Sequence, residues 1–289
     1  MATLYYTCGL SGSGKSHWCF ENAYIEDVIL DSDAIREELW GDAADQRHPD
    51  QVFNVMQTRC REALLANKNV YYCSTGLSSR HRVNLIKELR KIIPNLVCNC
   101  IIIVAPIEIC KERNAARVRV VPEYVIDKQL RSFQIPTPGE GWDEIEVIET
   151  DSINHYEIQQ TIWMKMKAFG SQQNSHHCLS LFDHCRRCFD FAIDAYDSNL
   201  AIAAFWHDCG KIYTQEFWPQ KDHDAHYPSH AEVGAYLALC MGFAIHVAQL
   251  IGYHMHPYET QAAKVWKQRA GDELWNEVLL LHDCDKRSH

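Results

Sequence analysis

The chain has 289 residues, of which 47% are hydrophobic and 23% are charged, a composition typical of a globular protein with room for two cores. Its formal net charge of -10 argues against a protein that coats long nucleic acid non-specifically. No apolar run approaches the ~18 residues of a membrane span, and the first residues already have a strand pattern. We therefore expect no membrane segment, no signal peptide and a cytoplasmic protein.

Short apolar stretches alternate with helix-length amphipathic segments along residues 1–150. This alternation predicts an α/β domain, in which a parallel sheet is flanked by helices on both faces. The predicted strands are Thr3–Cys8, Asp27–Leu30, Val70–Cys73, Leu96–Ala105 and Ile145–Ile148.

A glycine-rich octapeptide, Gly9-Leu10-Ser11-Gly12-Ser13-Gly14-Lys15-Ser16, follows the first strand and precedes the helix-forming segment His17–Ala23. It fits the pattern G-x-x-x-x-G-K-[ST], in which backbone N–H groups at a helix N-terminus surround phosphate oxygens. Lys15 would reach the β- and γ-phosphates, and the Ser16 hydroxyl would hold Mg²⁺. The sequence therefore predicts a site for ATP, or another nucleoside triphosphate, with Mg²⁺. We place in this site Gly9, Ser11, Gly12, Ser13, Gly14, Lys15, Ser16, His17, Arg113 and Arg117.

Polar side chains follow the next two predicted strands, at the sheet edge where parallel α/β domains bind ligands. Asp31 and Asp33 follow the second strand, and Ser74-Thr75 follow the third. Phosphoryl transfer needs a carboxylate that orients or deprotonates the nucleophile, and we assign this role to Asp33. Asp31 is the alternative base or an outer ligand of Mg²⁺, unless one of the two only caps the helix predicted at Ala34–Trp40.

Two arginines in the same half suit the charge that develops on a transferring phosphoryl group. Arg113 and Arg117 are four residues apart on a helix predicted to begin at Pro106, so we expect them to share one face. They belong to a basic region, residues 80–131, that carries eleven Lys and Arg against five Asp and Glu.

The first half resembles the bacteriophage-type polynucleotide 5′-kinases. The resemblance is carried, in order, by the segments GLSGSGKSHW, LDSDAIR, STGLSSRHR and KERNAARVRVVPEYVIDKQLRSF. It implies that Lys15, Asp33 and Arg113 are catalytic. It also implies that Arg36 contacts a substrate phosphate and that Arg113 and Arg117 are lid residues around the nucleotide.

The same resemblance places Thr75 and Arg80 in the substrate site. The chain departs from the family after the third strand, where Ser74-Thr75-Gly76-Leu77 replaces the frequent Asp-Thr-Asn-Leu. A carboxylate that would brace the arginine of the acceptor site is therefore missing.

The second half has a different character. Strand signals stop after Thr150, twelve of the 16 histidines lie beyond residue 170, and everything from His176 onward has a helical pattern. We therefore predict a multidomain protein with a P-loop kinase-like domain at 1–152, a linker helix at 153–172 and an all-α domain at 173–289.

The motif His207-Asp208-Cys209-Gly210-Lys211 is H-D-x-G-K, and further candidate ligands lie on other predicted helices. Imidazole and carboxylate groups in this combination suit divalent metals that generate hydroxide. These additional candidates are His184, His230, His254 and Asp285.

The ligand order H, HD, H, H, D resembles the HD phosphohydrolase superfamily. The resemblance implies one metal held by His184, His207, Asp208 and Asp285, and a second held by Asp208, His230 and His254. It also makes Lys211 a catalytic residue that faces phosphate. The metals would be Mn²⁺, Fe²⁺, Co²⁺, Ni²⁺ or Mg²⁺.

Several neighbouring residues compete for these roles. His177 is the alternative to His184, His256 to His254, and Asp283 to Asp285. His223 and His226 precede Pro228 in a predicted loop and could contact a substrate phosphate.

A P-loop polynucleotide kinase joined to an HD phosphohydrolase resembles nucleic-acid end-healing enzymes. We therefore expect a bifunctional enzyme of a bacterial or phage-infected cytoplasm. It would phosphorylate 5′-OH ends of RNA or DNA and clear 3′-phosphate or 2′,3′-cyclic phosphate ends before an RNA ligase acts. Two alternatives stay open: a small-molecule nucleoside or metabolite kinase fused to a nucleotidase, and a kinase with a regulatory HD module.

Overall fold

The computed structural model describes residues 2–45, 47–175, 178–193, 197–218 and 224–288. The chain forms two compact units, each with its own core. The first comprises Met1–Gln129 with Glu140–Asp151, and the second comprises Leu130–Gly139 with Ser152–His289. Within the described ranges, no helix combines the length and apolar character that crossing a membrane requires.

The first unit is built on a five-stranded parallel sheet with the order β2-β3-β1-β4-β5, which confirms the predicted fold class. The β1 and β3 strands have the predicted bounds, and the other three differ by one residue at each end. Ile101–Val104 in the interior of the sheet are buried, as expected where helices cover both faces. The strands are β1 Thr3–Cys8, β2 Val28–Asp31, β3 Val70–Cys73, β4 Val97–Val104 and β5 Glu144–Glu149.

The helices of this unit begin and end at recognisable signals. The second begins where the Asp31 carboxylate accepts hydrogen bonds from the backbone N–H groups of Asp33 and Ala34, and it ends at Gly41, which has φ 67°. Asp31, and not Asp33, is therefore the helix cap. The helices are α1 Lys15–Asn22, α2 Ser32–Trp40, α3 Pro49–Leu65, α4 Ser79–Ile92, α5 Ile107–Ala115 and α6 Glu123–Arg131, whose last two residues lie in the second unit.

A fully buried ion pair ties α4 to the loop before β5. The Arg82 guanidinium donates to both carboxylate oxygens of Glu140, at 2.7 and 2.5 Å, and to the carbonyl of Gly76 at 2.6 Å. The indole N–H of Trp142 also donates to Glu140 at 3.1 Å. Four charge-assisted or polar contacts thus compensate for removing both charges from water.

In the described residues of the second unit, the helices are interrupted by one small antiparallel ribbon and by an isolated β-bridge between Ser171 and Ser180, so the prediction of helix throughout is wrong at the ribbon. The ribbon pairs β6 Glu216–Phe217 with β7 Ala225–His226. Tyr227 and Trp218 each precede a proline, which disfavours helical backbone at the preceding residue. The helices are α7 His155–Phe169, α8 Leu181–Ile193, α9 Ser198–Trp206, α10 Lys211–Thr214, α11 His230–Cys240, α12 Ile245–Tyr253, α13 Ala263–Ala270 and α14 Asp272–Arg287.

Two segments that the sequence analysis placed outside the all-α domain contact the helices of this unit. In the α7 segment, predicted as a linker, the Gln159 side chain donates to the carbonyl of Met241 at 2.7 Å. The Pro136 carbonyl accepts a 2.8 Å bond from Gln249, and the Thr137 hydroxyl donates to the carbonyl of Arg269 at 2.6 Å. Short 3₁₀ helices lie at Pro138–Glu140 and His256–Tyr258.

The buried ion pair generates a stability prediction. Replacing Glu140 with Ala leaves the Arg82 charge buried without its carboxylate, so we expect the free energy of unfolding to fall by about 3–5 kcal/mol. Urea unfolding followed by circular dichroism measures this loss. Glu88→Ala is the matched control, because Glu88 forms an exposed pair with Lys91 and its removal costs about 0–1 kcal/mol. Equal losses for the two variants would contradict the prediction.

Candidate nucleotide and metal sites

The P-loop between β1 and α1 requires glycine at two positions where the backbone is left-handed. Gly12 has φ 85° and Gly14 has φ 101°. A Cβ atom on Gly12 would lie 2.2 Å from the carbonyl oxygen of Cys110, so no other residue fits there without a backbone shift. Gly14 is the N-cap of α1, which places the first N–H groups of that helix beside the loop.

The functional side chains of the loop point toward its own backbone and toward β2. The Lys15 ammonium is buried and donates to the carbonyl of Leu10 at 2.6 Å, and burial lowers the pKa of Lys15. The Ser16 hydroxyl donates to the Asp31 carboxylate at 2.9 Å. This hydroxyl and carboxylate are oxygen groups of the kind that bind Mg²⁺.

Other members of the predicted nucleotide site are distributed around the loop. Within the described residues, the buried hydroxyl of Ser13 has no hydrogen-bond partner, as expected of a group that would bond a phosphate oxygen of a nucleotide. The side chain of Gln129 bonds Ser11 twice, accepting from its N–H at 2.8 Å and donating to its hydroxyl at 3.0 Å. The imidazole of His17 is exposed and lies 3.1 Å from Glu21. Gln129 lies 118 residues from the loop and has no signal in the sequence.

A cleft of about 580 Å³ opens beside the loop, along the carboxyl ends of β2 and β3. Its wall contains the P-loop, a group of charged side chains and an apolar rim. The lining includes Ser11, Lys15, Ser16, Asp31, Asp33, Arg36, Phe53, Thr75, Arg117, Arg119, Val120, Tyr124 and Gln129.

The Asp33 carboxylate is held between two arginines within this cleft. The same oxygen, Oδ1, lies 2.6 Å from Arg36 and 2.5 Å from Arg119. Arg36 is buried, whereas the side chain of Asp33 is 39% exposed and therefore open to a ligand. Sequence reasoning missed Arg119. Its place two residues after Arg117 in the basic region was the available signal.

The predicted shared face of Arg113 and Arg117 is wrong, because α5 ends at Ala115. After the helix, the Asn114 side chain bonds both backbone groups of Val121, donating at 2.7 Å and accepting at 3.0 Å, and so holds the loop that carries Arg117. Arg117 then lines the cleft. Arg113 instead bonds the Thr150 hydroxyl at 2.8 Å and the carboxylate of Asp151 at 2.9 Å.

The two remaining residues of the predicted acceptor site have different environments. Thr75 lines the cleft, and its carbonyl accepts a 2.9 Å hydrogen bond from the N–H of Gly9. Arg80 is exposed on α4 and does not line the cleft.

In the second unit, the six predicted metal ligands are buried and lie together. His184 is on α8, His207 follows α9, His230 begins α11, His254 follows α12, and Asp285 is on α14. Their nitrogen and oxygen atoms form two adjoining groups that could each hold an ion. These groups are His184, His207 and Asp285, and then Asp208, His230 and His254.

Asp208 connects the two groups, because each of its oxygens faces a different histidine pair. Oδ2 lies 3.3 Å from Nε2 of His207 and 3.5 Å from Nε2 of His184. Oδ1 lies 3.3 Å from Nε2 of His230 and 3.7 Å from Nε2 of His254. Ligand atoms about 2.1 Å from one ion are roughly 3.0–3.4 Å apart in octahedral or tetrahedral geometry. The residues therefore fit two divalent ions bridged by Asp208.

Backbone carbonyls set the tautomer of three of the four histidines. Nδ1 donates to a carbonyl three residues earlier in each case, at 2.8 Å from His207 to Ala204, at 2.8 Å from His230 to Tyr227 and at 2.7 Å from His254 to Ile251. A carbonyl only accepts, so Nδ1 carries a proton in each of these rings and Nε2 is the nitrogen left to bind metal.

Lys211 faces the bridging carboxylate. Its ammonium lies 2.7 Å from Oδ2 of Asp208 and donates to the side chain of Gln172 at 2.8 Å. The Tyr258 hydroxyl likewise donates to the Asp285 carboxylate at 2.9 Å. Sequence reasoning missed Gln172 and Tyr258, since neither belongs to a motif.

The residues that competed for ligand roles have other partners. His256 stacks on Trp266, with ring centroids 3.7 Å apart, and lies 3.4 Å from Glu259. Asp283 pairs with Arg287 at 3.6 Å, and His226 stacks on Trp218 at 3.9 Å. His177 and His223 lie outside the described residues.

Burial and charge act differently on two of the ligand histidines. Burial lowers the pKa of His254 to about 4, so this imidazole is neutral near pH 7. Burial also opposes a charge on His207, but the Asp208 carboxylate reverses that effect and raises the pKa of His207 well above its usual value. An ion that binds at His207 must therefore displace a proton.

Comparisons with known proteins agree with this division. Residues 4–136 match the family described as AAA domain, and residues 181–288 match the family described as HD domain. No curated protein matches the chain. A solved gluconokinase from Sinorhizobium meliloti 1021 is 17% identical over 52% of this chain and 83% of its own, with a TM-score of 0.35. On the two family matches, the chain carries a P-loop, kinase-like domain fused to an HD phosphohydrolase domain.

The raised pKa of His207 predicts that metal binding depends on pH. Below that pKa the His207 ring is protonated, so a metal ion must displace one proton in order to bind. The affinity for Mn²⁺ should therefore rise with pH, and binding should release protons. Calorimetric titrations of Mn²⁺ in buffers of different ionisation enthalpy count the protons released. A binding enthalpy that is independent of the buffer would contradict the prediction.

Proposed function

We propose that this chain is a bifunctional end-healing enzyme acting on RNA. Its first unit transfers the γ-phosphate of ATP to a polynucleotide 5′-OH, and its second removes 3′-phosphate or 2′,3′-cyclic phosphate. The proposal is carried by the acceptor side of the kinase cleft, where Arg36 and Arg119 flank the Asp33 carboxylate. If an acceptor hydroxyl lies beside Asp33, the phosphodiester next to that hydroxyl would lie close to both guanidinium groups. A polynucleotide end has such a phosphodiester, whereas a free nucleoside has none.

The residues of the first unit divide the steps of phosphoryl transfer between them. Lys15 and the N–H groups of the P-loop hold the β- and γ-phosphates, while Ser16 and Asp31 would hold Mg²⁺. Asp33 orients the acceptor hydroxyl and receives its proton. Arg117, which lines the same cleft, is placed to neutralise charge on the transferring group.

The second unit supplies a buried site for hydrolysis. When bound, divalent ions supply a nucleophilic hydroxide and neutralise the charge of the phosphate. The histidines would hold these ions through Nε2, and Asp208 would offer one oxygen to each group of ligands. A site rich in imidazole should prefer Mn²⁺, Fe²⁺, Co²⁺ or Ni²⁺, whereas Mg²⁺ suffices for the kinase.

Two variants test whether one chain carries both activities. Lys15→Ala should abolish phosphorylation of 5′-OH RNA and leave 3′-end hydrolysis unchanged, because it removes only a phosphate contact of the P-loop. Asp208→Ala should have the opposite effect. Transfer of labelled phosphate from ATP, and phosphate release from 3′-phosphate and 2′,3′-cyclic phosphate RNA with each metal, measure the two activities.

Matched substrates separate the proposal from its alternatives. Free nucleosides, 5′-OH DNA and 5′-OH RNA should be compared in the same assay, and we expect RNA to be the best acceptor. Preference for free nucleosides would favour a small-molecule kinase with a nucleotidase. A folded protein that hydrolyses no 3′ end with any of these metals would count against end healing and favour a regulatory HD domain.

Asp33→Asn tests the assignment of the catalytic carboxylate. The substitution preserves shape but removes the base, so we expect kcat to fall by about 10²–10⁴ while ATP affinity stays near that of the wild type. Asp50→Asn, at an exposed position in the first turn of α3, is the control and should leave kcat unchanged. Wild-type turnover by Asp33→Asn would transfer the role to Asp31.

A further inference from the structure

His184 differs from the other ligand histidines in its position on its helix. His207 and His254 directly follow α9 and α12, where the last carbonyls have no partner within the helix and can accept from Nδ1. His184 is the fourth residue of α8, in a turn whose carbonyls accept bonds from the next turn. Its Nδ1 is therefore directed to an acceptor on another helix.

That acceptor is Ser288, the fully buried C-cap residue of α14. The Ser288 hydroxyl oxygen lies 3.1 Å from Nδ1 of His184 and 2.6 Å from the backbone carbonyl of Asp285. The carbonyl can only accept, so the single hydroxyl proton is directed to it. The hydroxyl oxygen must then accept, and Nδ1 of His184 must carry the proton.

We propose that Ser288 is a positioning residue that holds His184 in the tautomer able to bind metal. With the proton on Nδ1, the Nε2 lone pair is available to an ion shared with Asp285, whose Oδ1 lies 3.1 Å away. In the other tautomer, Nε2–H would donate to that same carboxylate and exclude the ion. The inference rests on the metal site of the proposed function.

Ser288 also links two ligands of one metal through a single residue. Its hydroxyl and its backbone N–H both donate to the carbonyl of Asp285, at 2.6 and 3.0 Å. The last turn of α14 thereby fixes the Asp285 backbone while it fixes the ring of His184. Outer hydrogen-bond partners of this kind typically change metal affinity by about 10–100-fold when removed.

The tautomer can be observed directly. Two-bond ¹H–¹⁵N correlation spectra of the metal-free full chain at pH 8.5, with His184 identified by the loss of its signals in His184→Gln, distinguish Nδ1–H from Nε2–H. We expect Nδ1–H in the wild type and a shift toward Nε2–H in Ser288→Ala. An Nε2–H ring in the wild type, or identical tautomers in the two proteins, would overturn the proposal.

Metal affinity provides the second measurement. In a His230→Ala/His254→Ala background, which removes the other histidine pair, Ser288→Ala should weaken Mn²⁺ binding by about 10–100-fold by calorimetry. Unchanged affinity would also overturn the proposal. Failure of the wild type to bind any metal would instead count against the proposed function, because the tautomer comparison requires no ion.

Ser180→Ala is the matched control. The Ser180 hydroxyl bonds Asp183 at the start of α8, accepting from its N–H at 3.1 Å and donating to its carboxylate at 2.6 Å. Like Ser288→Ala, this variant removes one serine hydroxyl, and it loosens α8, the helix that carries His184. It leaves the Ser288 hydroxyl in place. We expect it to keep the Nδ1–H tautomer and the affinity for Mn²⁺. A tautomer change equal to that of Ser288→Ala would show a merely structural effect and overturn the proposal.

Discussion

The buried carboxylate of Asp208 is the group around which the second unit is organised. Burial alone would raise its pKa, but Lys211 and His207 hold the pKa well below its usual value, so the group is charged. A buried charge of this kind is stable only if cations and hydrogen-bond donors surround it. The helices of this unit must therefore converge with their polar residues turned inward. This requirement explains why three of the ligand histidines lie at helix ends, where backbone carbonyls are available to orient them.

The two sites deal with charge in different ways. The metal ligands are withdrawn from water, whereas the Asp33 side chain remains 39% exposed and Arg119 25% exposed. An open cleft allows a large, charged acceptor to enter and replace water around these groups. A closed, imidazole-rich pocket instead retains ions and holds its ligands in fixed positions. This difference is consistent with the proposed function, in which the first site accepts a polyanionic substrate and the second retains divalent ions.

Much of the fold and of both sites could be predicted because the signals are local. The P-loop was recognised from the spacing of its glycines between a strand and a helix. The structure shows why glycine is needed at Gly12, because the backbone there is left-handed and its surroundings leave no room for a Cβ atom. Apolar runs of strand length predicted the five parallel strands. The prediction that Arg113 and Arg117 share a face failed, because α5 ends at Ala115, before the second arginine, and the bonds of Asn114 to Val121 hold the loop that follows.

The sequence by itself determined the order of the elements, the P-loop and the types of ligand in the second half, because these depend on short spacings and on side-chain chemistry. Only the tertiary structure decided which residues share a site. It placed His254, and not His256, beside Asp208, and it brought Ser288 to His184 across 104 residues of chain. Such contacts depend on how helices pack, and no local periodicity encodes the distance between side chains that lie far apart in the chain.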